Sequence, residues 1–405
     1  MKEDGCEKTF LIRETYGYRF TFQHAGLSEG TMKDQLFAFT SSLKDAGCKT
    51  TDSPKNWLEA FELLKDVVLI ICASATSWML SKVVHNKGGL YNRLTEQIHL
   101  QTFTLKECEE YVQAAGLVMN REQILQYYMI FGGVPYYWGF LKKGLSLSQN
   151  VDAILFAKDA PLAEEFKYLY ASVFKHPEVY VKLIEALGTK RVGMTREDLI
   201  QASQITNSGD LTLKLEELES CGFIRKYYAL GMKKKNAVYQ LMDCFTLFYF
   251  QFLKNAPTDE HYWSNQINTP KVNNWMGLSF ERVCMMHTDQ IKQKLGISGV
   301  LTDINSWYCK PDPDKGVFGS QIDMLIARKD QVINLCEMKY SGSEYTITEK
   351  VERGIRNKIH DLTLLTGTKY AIHPTLITTY GLVPNSYSEC VQSVVTLKDL
   401  FVENL

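Results

Sequence analysis

Ile322-Asp323-Met324-Leu325-Ile326, a short spacer and Ile333-Asn334-Leu335-Cys336-Glu337-Met338-Lys339 decide how the C-terminal part of this chain folds. Both runs read as strands, neighbours in one sheet. Residues two apart on a strand face the same way, roughly 6.6 Å apart at ~3.3 Å rise per residue, so Glu337 and Lys339 point together while Met338 faces the core. Pairing of the two strands brings Asp323 to the same edge.

Two carboxylates at one edge suit a hard cation such as Mg²⁺, which takes oxygen ligands at ~2.0 to 2.1 Å and keeps waters that a substrate phosphate can replace. Asp323 and Glu337 are therefore the expected metal ligands, with the Met338 carbonyl as a further donor. Lys339 sits between carboxylates, which favours its charged form and assigns it to orienting water and stabilising charge. Glu281, on the helix that follows Trp275, is the expected preceding acid.

Working outward, residues 263–405 read as an α/β layer. A long helix over 275–294 precedes strands near 299–305, 321–327 and 332–339, then a helix over 347–365 and strands near 369–372 and 375–379. Residues 179–262 read as helices 180–187, 196–201 and 211–220 followed by strands 223–228 and 237–241, the order of a winged helix-turn-helix. The third of those helices carries Asp210, Glu216, Glu217 and Glu219 against Lys214. A helix entering a groove lined by phosphates should not be net acidic, so this unit is expected to act as scaffold or to meet a protein partner. Arg225, Lys226, Lys233, Lys234 and Lys235 form a basic wing that leaves contact with a nucleic-acid backbone open.

Residues 112–178 are aromatic-rich and helical, broken at Phe131-Gly132-Gly133-Val134-Pro135. Residues 1–111 alternate short apolar strands with helices: a strand-like run over 18–22, helices over 31–46 and 57–64, and the continuous apolar run over 66–73 that ends in Ser74-Ala75-Thr76-Ser77. Such a run is typical of a strand covered on both faces in a parallel sheet.

A chain of 405 residues has room for about two to four domains. With 45 basic against 46 acidic residues and a net charge of −1, no global field draws it to nucleic acid or to an anionic membrane, so any such contact must be local. The ten cysteines show no CxxC spacing, which argues against a zinc site. No apolar segment approaches the roughly 20 residues of a membrane span. The start of the chain is polar and charged and shows no signal peptide, so a cytoplasmic protein with reduced thiols is expected.

Asp323, Glu337-Met338-Lys339 and the upstream Glu281 resemble the PD-(D/E)xK nuclease superfamily, which implies a restriction-endonuclease-like α/β domain. The chain as a whole is similar to a prokaryotic AAA/STAND-type ATP-binding protein family, in which a P-loop ATPase domain, a helical lid, a winged helix and a nuclease-like domain follow one another. The residues that carry this are Lys8-Thr9-Phe10-Leu11-Ile12-Arg13-Glu14, Ala73-Ser74-Ala75-Thr76-Ser77, Asn92-Arg93-Leu94, Phe131-Gly132-Gly133-Val134-Pro135 and Leu218-Glu219-Ser220-Cys221-Gly222-Phe223-Ile224. The resemblance implies a P-loop ATPase-like domain over 1–111, a lid over 112–178, a winged helix over 179–262 and a nuclease-like domain over 263–405, with ATP as the family's cofactor.

The nucleotide motifs depart from that family. A P-loop needs glycines whose backbone N–H groups wrap phosphates ahead of a lysine. Here Gly5-Cys6-Glu7-Lys8-Thr9 puts Glu7 where glycine should stand, and the remnant reads as a P-loop cut at its start. The acidic strand that should position Mg²⁺ has no counterpart between Phe10 and Glu110. Ser74 or Thr76 matches the sensor position and Arg93 the basic residue near the nucleotide, so Lys8, Thr9, Ser74, Thr76 and Arg93 make up a degenerate nucleotide site. Phosphoryl transfer depends on positioning and charge stabilisation, and the expectation is a truncated P-loop domain without ATP hydrolysis beside an intact metal-dependent phosphodiesterase site for DNA or RNA. The alternatives are an ATP-binding regulator with a non-catalytic nuclease fold and an incomplete remnant of an ATPase.

Overall fold

The computed structural model describes residues 7–17, 19–27, 30–49, 53–64, 70, 96, 98–228, 230 and 237–403. The chain divides into two units, Met1–Ala73 and Ser74–Leu405.

The first unit holds helices α1 (Glu7–Tyr16), α2 (Met32–Asp45) and α3 (Trp57–Glu62). Thr31 starts α2 through a capping box: its hydroxyl accepts from the Asp34 amide while the Asp34 carboxylate accepts from the Thr31 amide at 2.8 Å. Two N–H groups left free by the helix start are satisfied this way. Leu36, Phe39 and Leu43 share one face and bury against Ala60, with Phe22 and Trp57 packed alongside. The strand expected over 18–22 is not formed by the described residues 19–22. Phe22 instead sets its ring edge-on to Phe39, 5.4 Å between centroids, so the aromatic alternation serves helix packing. Lys8 and Thr9 fall in the first turn of α1, their side chains outside the description. Ser74, Thr76, Arg93 and all of the apolar run over 66–73 except Ile70 also lie outside the described residues.

The second unit is mixed α/β. Helices α4 (Leu105–Ala114), α5 (Arg121–Phe131), α6 (Pro135–Trp138), α7 (Leu147–Val151) and α8 (Glu165–Val173) come first. Gly132 ends α5 with φ +63°, and Gly133 has to be glycine because a Cβ there would lie 1.9 Å from the Phe103 carbonyl oxygen. Helix α9 (Pro177–Gly188), strand β1 (Met194–Thr195), helices α10 (Arg196–Ser203) and α11 (Gly209–Ser220), and strands β2 (Ile224–Tyr228) and β3 (Ala237–Leu241) follow. The strands form an antiparallel sheet in the order β1-β3-β2. Helices α12 (Cys244–Phe248), α13 (Tyr262–Gln266), α14 (Pro270–Met286) and α15 (Thr288–Lys294) lead to β4 (Thr302–Cys309), β5 (Ser320–Arg328) and β6 (Val332–Lys339), then α16 (Glu349–Thr366), β7 (Ala371–Thr378) and β8 (Ser393–Thr396). The five-stranded sheet runs β4-β5-β6-β7-β8, antiparallel as far as β6 and parallel from β6 to β8.

One apolar cluster extends from Leu105 to Phe401. It is continuous across positions 178 and 262: Phe174 stacks on Tyr180 with ring centroids 3.9 Å apart, and Phe248 and Phe252 pack on Trp263 and Trp275 at 5.1 to 5.4 Å. A second, smaller cluster of Trp307, Ile322, Leu325, Ile333, Leu335 and Leu362 fills the space between the sheet and α16. Among the described residues no helix is long and apolar enough to cross a membrane.

Four expectations need correction. The long helix over 275–294 is two helices, α14 and α15, because His287 leaves helical geometry (φ −110°, ψ 35°). The strands near 369–372 and 375–379 are the single strand β7, whose Pro374 is tolerated because β8 begins opposite Thr375, one residue later. Arg225, expected on a solvent-facing basic wing, points inward and donates to Gln240 and Ser306 at 2.6 and 2.7 Å. Glu217, expected on the acidic face of α11, is buried and takes a hydrogen bond from the Tyr180 hydroxyl. Lys233, Lys234 and Lys235 lie outside the described residues.

His287 holds the junction of α14 and α15 to the start of α4. Its Nε2 accepts from the Leu105 amide at 2.9 Å, and its Nδ1 bonds the Val283 carbonyl at 2.8 Å. Burial pushes its pKa down to about 4, against the opposing pull of the Val283 carbonyl. A folded-state value below the ordinary one of about 6.5 means that the unfolded chain takes up a proton first as the pH falls. Stability should therefore be complete above about pH 6.5 and decline by about 3 kcal/mol as the pH drops to about 4. Urea titrations across that range check this, with His287→Gln flattening the pH dependence.

Candidate active site

Strand register sets Asp323 beside Glu337. Met324 pairs with Cys336 across the β5–β6 ladder, so Asp323 and Glu337 each lie one residue past that pair, at the end shared by the two strands. Strand β5 also carries an irregularity: Asn305 faces Leu325 while Trp307 faces Ile322, leaving Asp323 and Met324 together opposite Ser306. An extra residue of this kind is a β-bulge, which bends the strand and re-aims its side chains. The Ser306 hydroxyl donates to the Asp323 carbonyl, and Arg225 Nη2 donates to Ser306 Oγ at 2.7 Å. The bulge is thus pinned from β2.

The Asp323 carboxylate accepts from Gln321 Nε2 at 2.7 Å and lies 3.7 Å from Arg191 Nη2. The same guanidinium nitrogen donates to Glu281. Glu281 is only 8% exposed, on the buried side of α14. Burial, and after it the charge of Asp323, hold its carboxyl above the usual range in spite of Arg191 and Arg282. Arg282, wholly inside, donates to the carbonyls of Leu241 and Arg191 at 3.1 and 2.6 Å.

Glu337 has different partners. Lys339 Nζ meets one of its oxygens at 2.6 Å and Lys358 Nζ, from α16, meets the other at 2.5 Å. Burial would push the Glu337 carboxyl up, but the two ammonium charges and their hydrogen bonds outweigh it and hold the group below the usual range. Burial likewise opposes the charge on Lys339, and the charge and hydrogen bond of Glu337 overcome it, so Lys339 is raised. Glu281 also acts on Lys339, which places the two halves of the cluster within electrostatic reach.

The structure therefore joins Glu281 to Asp323 through Arg191, and Glu337 to Lys339 and Lys358. Among the described residues no three His, Cys, Asp or Glu side chains form a group able to hold a metal ion. The donors still fit a hard cation in kind, because Mg²⁺ is commonly held by one or two carboxylates with water and substrate phosphate completing the shell. Asp323 and Glu337 are the pair that would hold it. A cleft lined by Leu230, Ala327, Ile333 and Tyr370, and another lined by Leu117, Leu141, Lys143 and Asn150, include none of Glu281, Asp323, Glu337 and Lys339.

No family model, curated protein or solved structure matches the chain. What the site can do rests on its own geometry. Sequence reasoning missed Arg191 and Lys358, since each is one basic residue among 45 and nothing local marks a partner 90 or 21 positions away.

The Glu337 pairing has a measurable consequence. A carboxyl held low in the folded state stabilises the fold above the unfolded value of about 4.3, and that contribution disappears as the pH falls through the folded value. Lys358→Met removes one of the two charges, so the Glu337 titration followed by NMR should move upward. Stability at pH 7 should fall by about 1 to 3 kcal/mol, read by urea denaturation.

Proposed function

We propose that residues 263–405 are a PD-(D/E)xK nuclease-like unit that hydrolyses phosphodiester bonds of DNA or RNA with a divalent metal, and that residues 179–262 are a winged helix serving as its scaffold. The observation that supports this most is the placement of Asp323 and Glu337-Met338-Lys339 at the common end of β5 and β6. Helix α14 before the strands supplies Glu281, and α16 after them leads to the parallel strand β7.

Asp323 and Glu337 are the residues that would hold the cation, which when bound would lower the pKa of a water and offset charge developing on the phosphate. Lys339, kept protonated by Glu337, orients that water and offsets charge at the phosphate being cut. Lys358 adds a second ammonium on the α16 side. Glu281, whose carboxyl keeps its proton to a higher pH than usual, is suited to exchanging a proton at the Asp323 side of the site. A net charge of −1 gives no long-range steering, so these local cations have to receive the substrate.

Incubation of the chain with labelled single- and double-stranded DNA and RNA, in Mg²⁺ or Mn²⁺, tests it. Metal-dependent cleavage is expected, reduced by roughly 100-fold or more in Glu337→Ala and in Lys339→Ala. A cleavage rate that is the same in wild type and both variants overturns the assignment, as does the lack of any metal-dependent product.

A further inference from the structure

The cation between Glu281 and Asp323 comes from outside the five-stranded sheet. Arg191 lies on the turn between α9 and β1, and its main chain is fixed from two sides: Gln240 Nε2 and Arg282 Nη2 both donate to its carbonyl, at 2.7 and 2.6 Å. Val192 accepts from the Tyr227 hydroxyl at 2.7 Å. Gly193 has φ +86°, and a Cβ there would lie 2.4 Å from the Tyr239 carbonyl oxygen, so only glycine lets the turn approach β3 this closely. With its backbone held in this way, the Arg191 guanidinium is carried to Glu281 and to within 3.7 Å of Asp323.

The charges count against a further cation in this arrangement. Glu281, Asp323 and Glu337 already face Arg191, Lys339 and Lys358, with Arg282 also acting on Glu281. Adding a divalent metal would leave an excess of positive charge in a partly buried place, which is unfavourable unless a resident cation leaves, and Arg191 is itself exposed enough to move out. Lys339 and Lys358 belong to the strand and helix that build the Glu337 half. Arg191 alone of the three reaches in from the three-stranded-sheet region.

We propose that Arg191, held between Glu281 and Asp323, is a built-in counter-cation of this site and that it competes with a divalent metal for Asp323. The inference rests on the reading of Asp323 and Glu337 as metal ligands. It assigns to the three-stranded-sheet region a direct hold on the site that a scaffold does not have. Arg191 is a positioning residue in this scheme, since it touches the carboxylates and not the reacting atoms.

Calorimetric titration of the full chain with Mn²⁺, together with melting curves with and without Mn²⁺, tests the competition. Arg191→Met keeps much of the side-chain stem without the charge and should bind Mn²⁺ roughly tenfold tighter or more than wild type. Mn²⁺ should also raise the melting temperature of this variant more than that of wild type, a response that a purely structural arginine does not give. Arg191→Lys retains the charge and should stay close to wild type. If Arg191→Met melts too early to titrate, Arg191→Gln, which can still hydrogen-bond Glu281, carries the same comparison. Mn²⁺ binding that depends on Asp323 and Glu337 but is no tighter without the Arg191 charge overturns the competition and leaves the metal site standing. No Mn²⁺ binding in wild type or in either neutral variant overturns both.

Discussion

A carboxylate removed from water must be met by a cation or by several hydrogen-bond donors, and that constraint organises the second unit around Glu281, Asp323 and Glu337. Burial of one unpaired carboxylate costs several kcal/mol, on the order of the whole stability of a domain. Three of them close together fold only if the chain delivers cations from several directions. Arg191 arrives on a turn beside the three-stranded sheet, Lys358 on α16 and Lys339 on β6 itself. The docking of the two sheets is in this sense a solution to charge burial as much as to apolar burial.

Arg282 and Arg225 lie alongside the carboxylates but serve a different need. Each spends its guanidinium largely on uncharged acceptors: Arg282 on the carbonyls of Leu241 and Arg191, Arg225 on Gln240 and Ser306. Burial, followed by the charge of Arg282, brings the Arg225 pKa down to about 10, so it remains charged under ordinary conditions. These two arginines fix the main chain around the site: Arg282 clamps the residue that carries the Arg191 side chain, and Arg225 braces the hydroxyl bonded to the bulge. Planar, multi-donor guanidinium groups suit that role better than lysine, whose ammonium is a compact point charge.

What the sequence made legible follows from the range of the interactions involved. Strands β5 and β6 could be read because their apolar runs are local and their spacer is short, and α9, α10 and α11 because their apolar spacing is local too. The break at His287 could not, since it accompanies hydrogen bonds to Leu105, 182 positions away, and to Val283 within the helix itself. Pro374 lies between the runs over 369–372 and 375–379, where a proline usually interrupts a ladder, and only the starting point of β8 lets them join as one strand. Arg225 looked like a wing residue because its exposure depends on where β4 lies, and Ser306 is 81 residues further along the chain. For the site, the positions of Asp323, Glu337 and Lys339 on neighbouring strands followed from spacing. The bulge that aims Asp323, and the partners Arg191 and Lys358, depend on tertiary contacts.

Other buried carboxylates in the same unit show which of these pairings can be exchanged. Asp361 accepts from the Phe318 amide at 3.0 Å and the Ser320 hydroxyl at 2.6 Å, and Asp152 from the amides of Trp263 and Ser264 at 2.8 and 3.1 Å. Main-chain amides and a short hydroxyl cannot swing away without unfolding the segments that carry them, so Asp361 and Asp152 are built into the fold. Glu281 and Glu337 are instead met by long side chains with several rotatable bonds each, whose charged ends can move while their backbones stay in place. A carboxylate held by donors of that kind can change partners at far lower cost than one held by amides. The difference lies in the donors and not in burial, for Asp361 is fully buried and Glu281 nearly so, and it separates carboxylates whose partners can move from those fastened to the main chain.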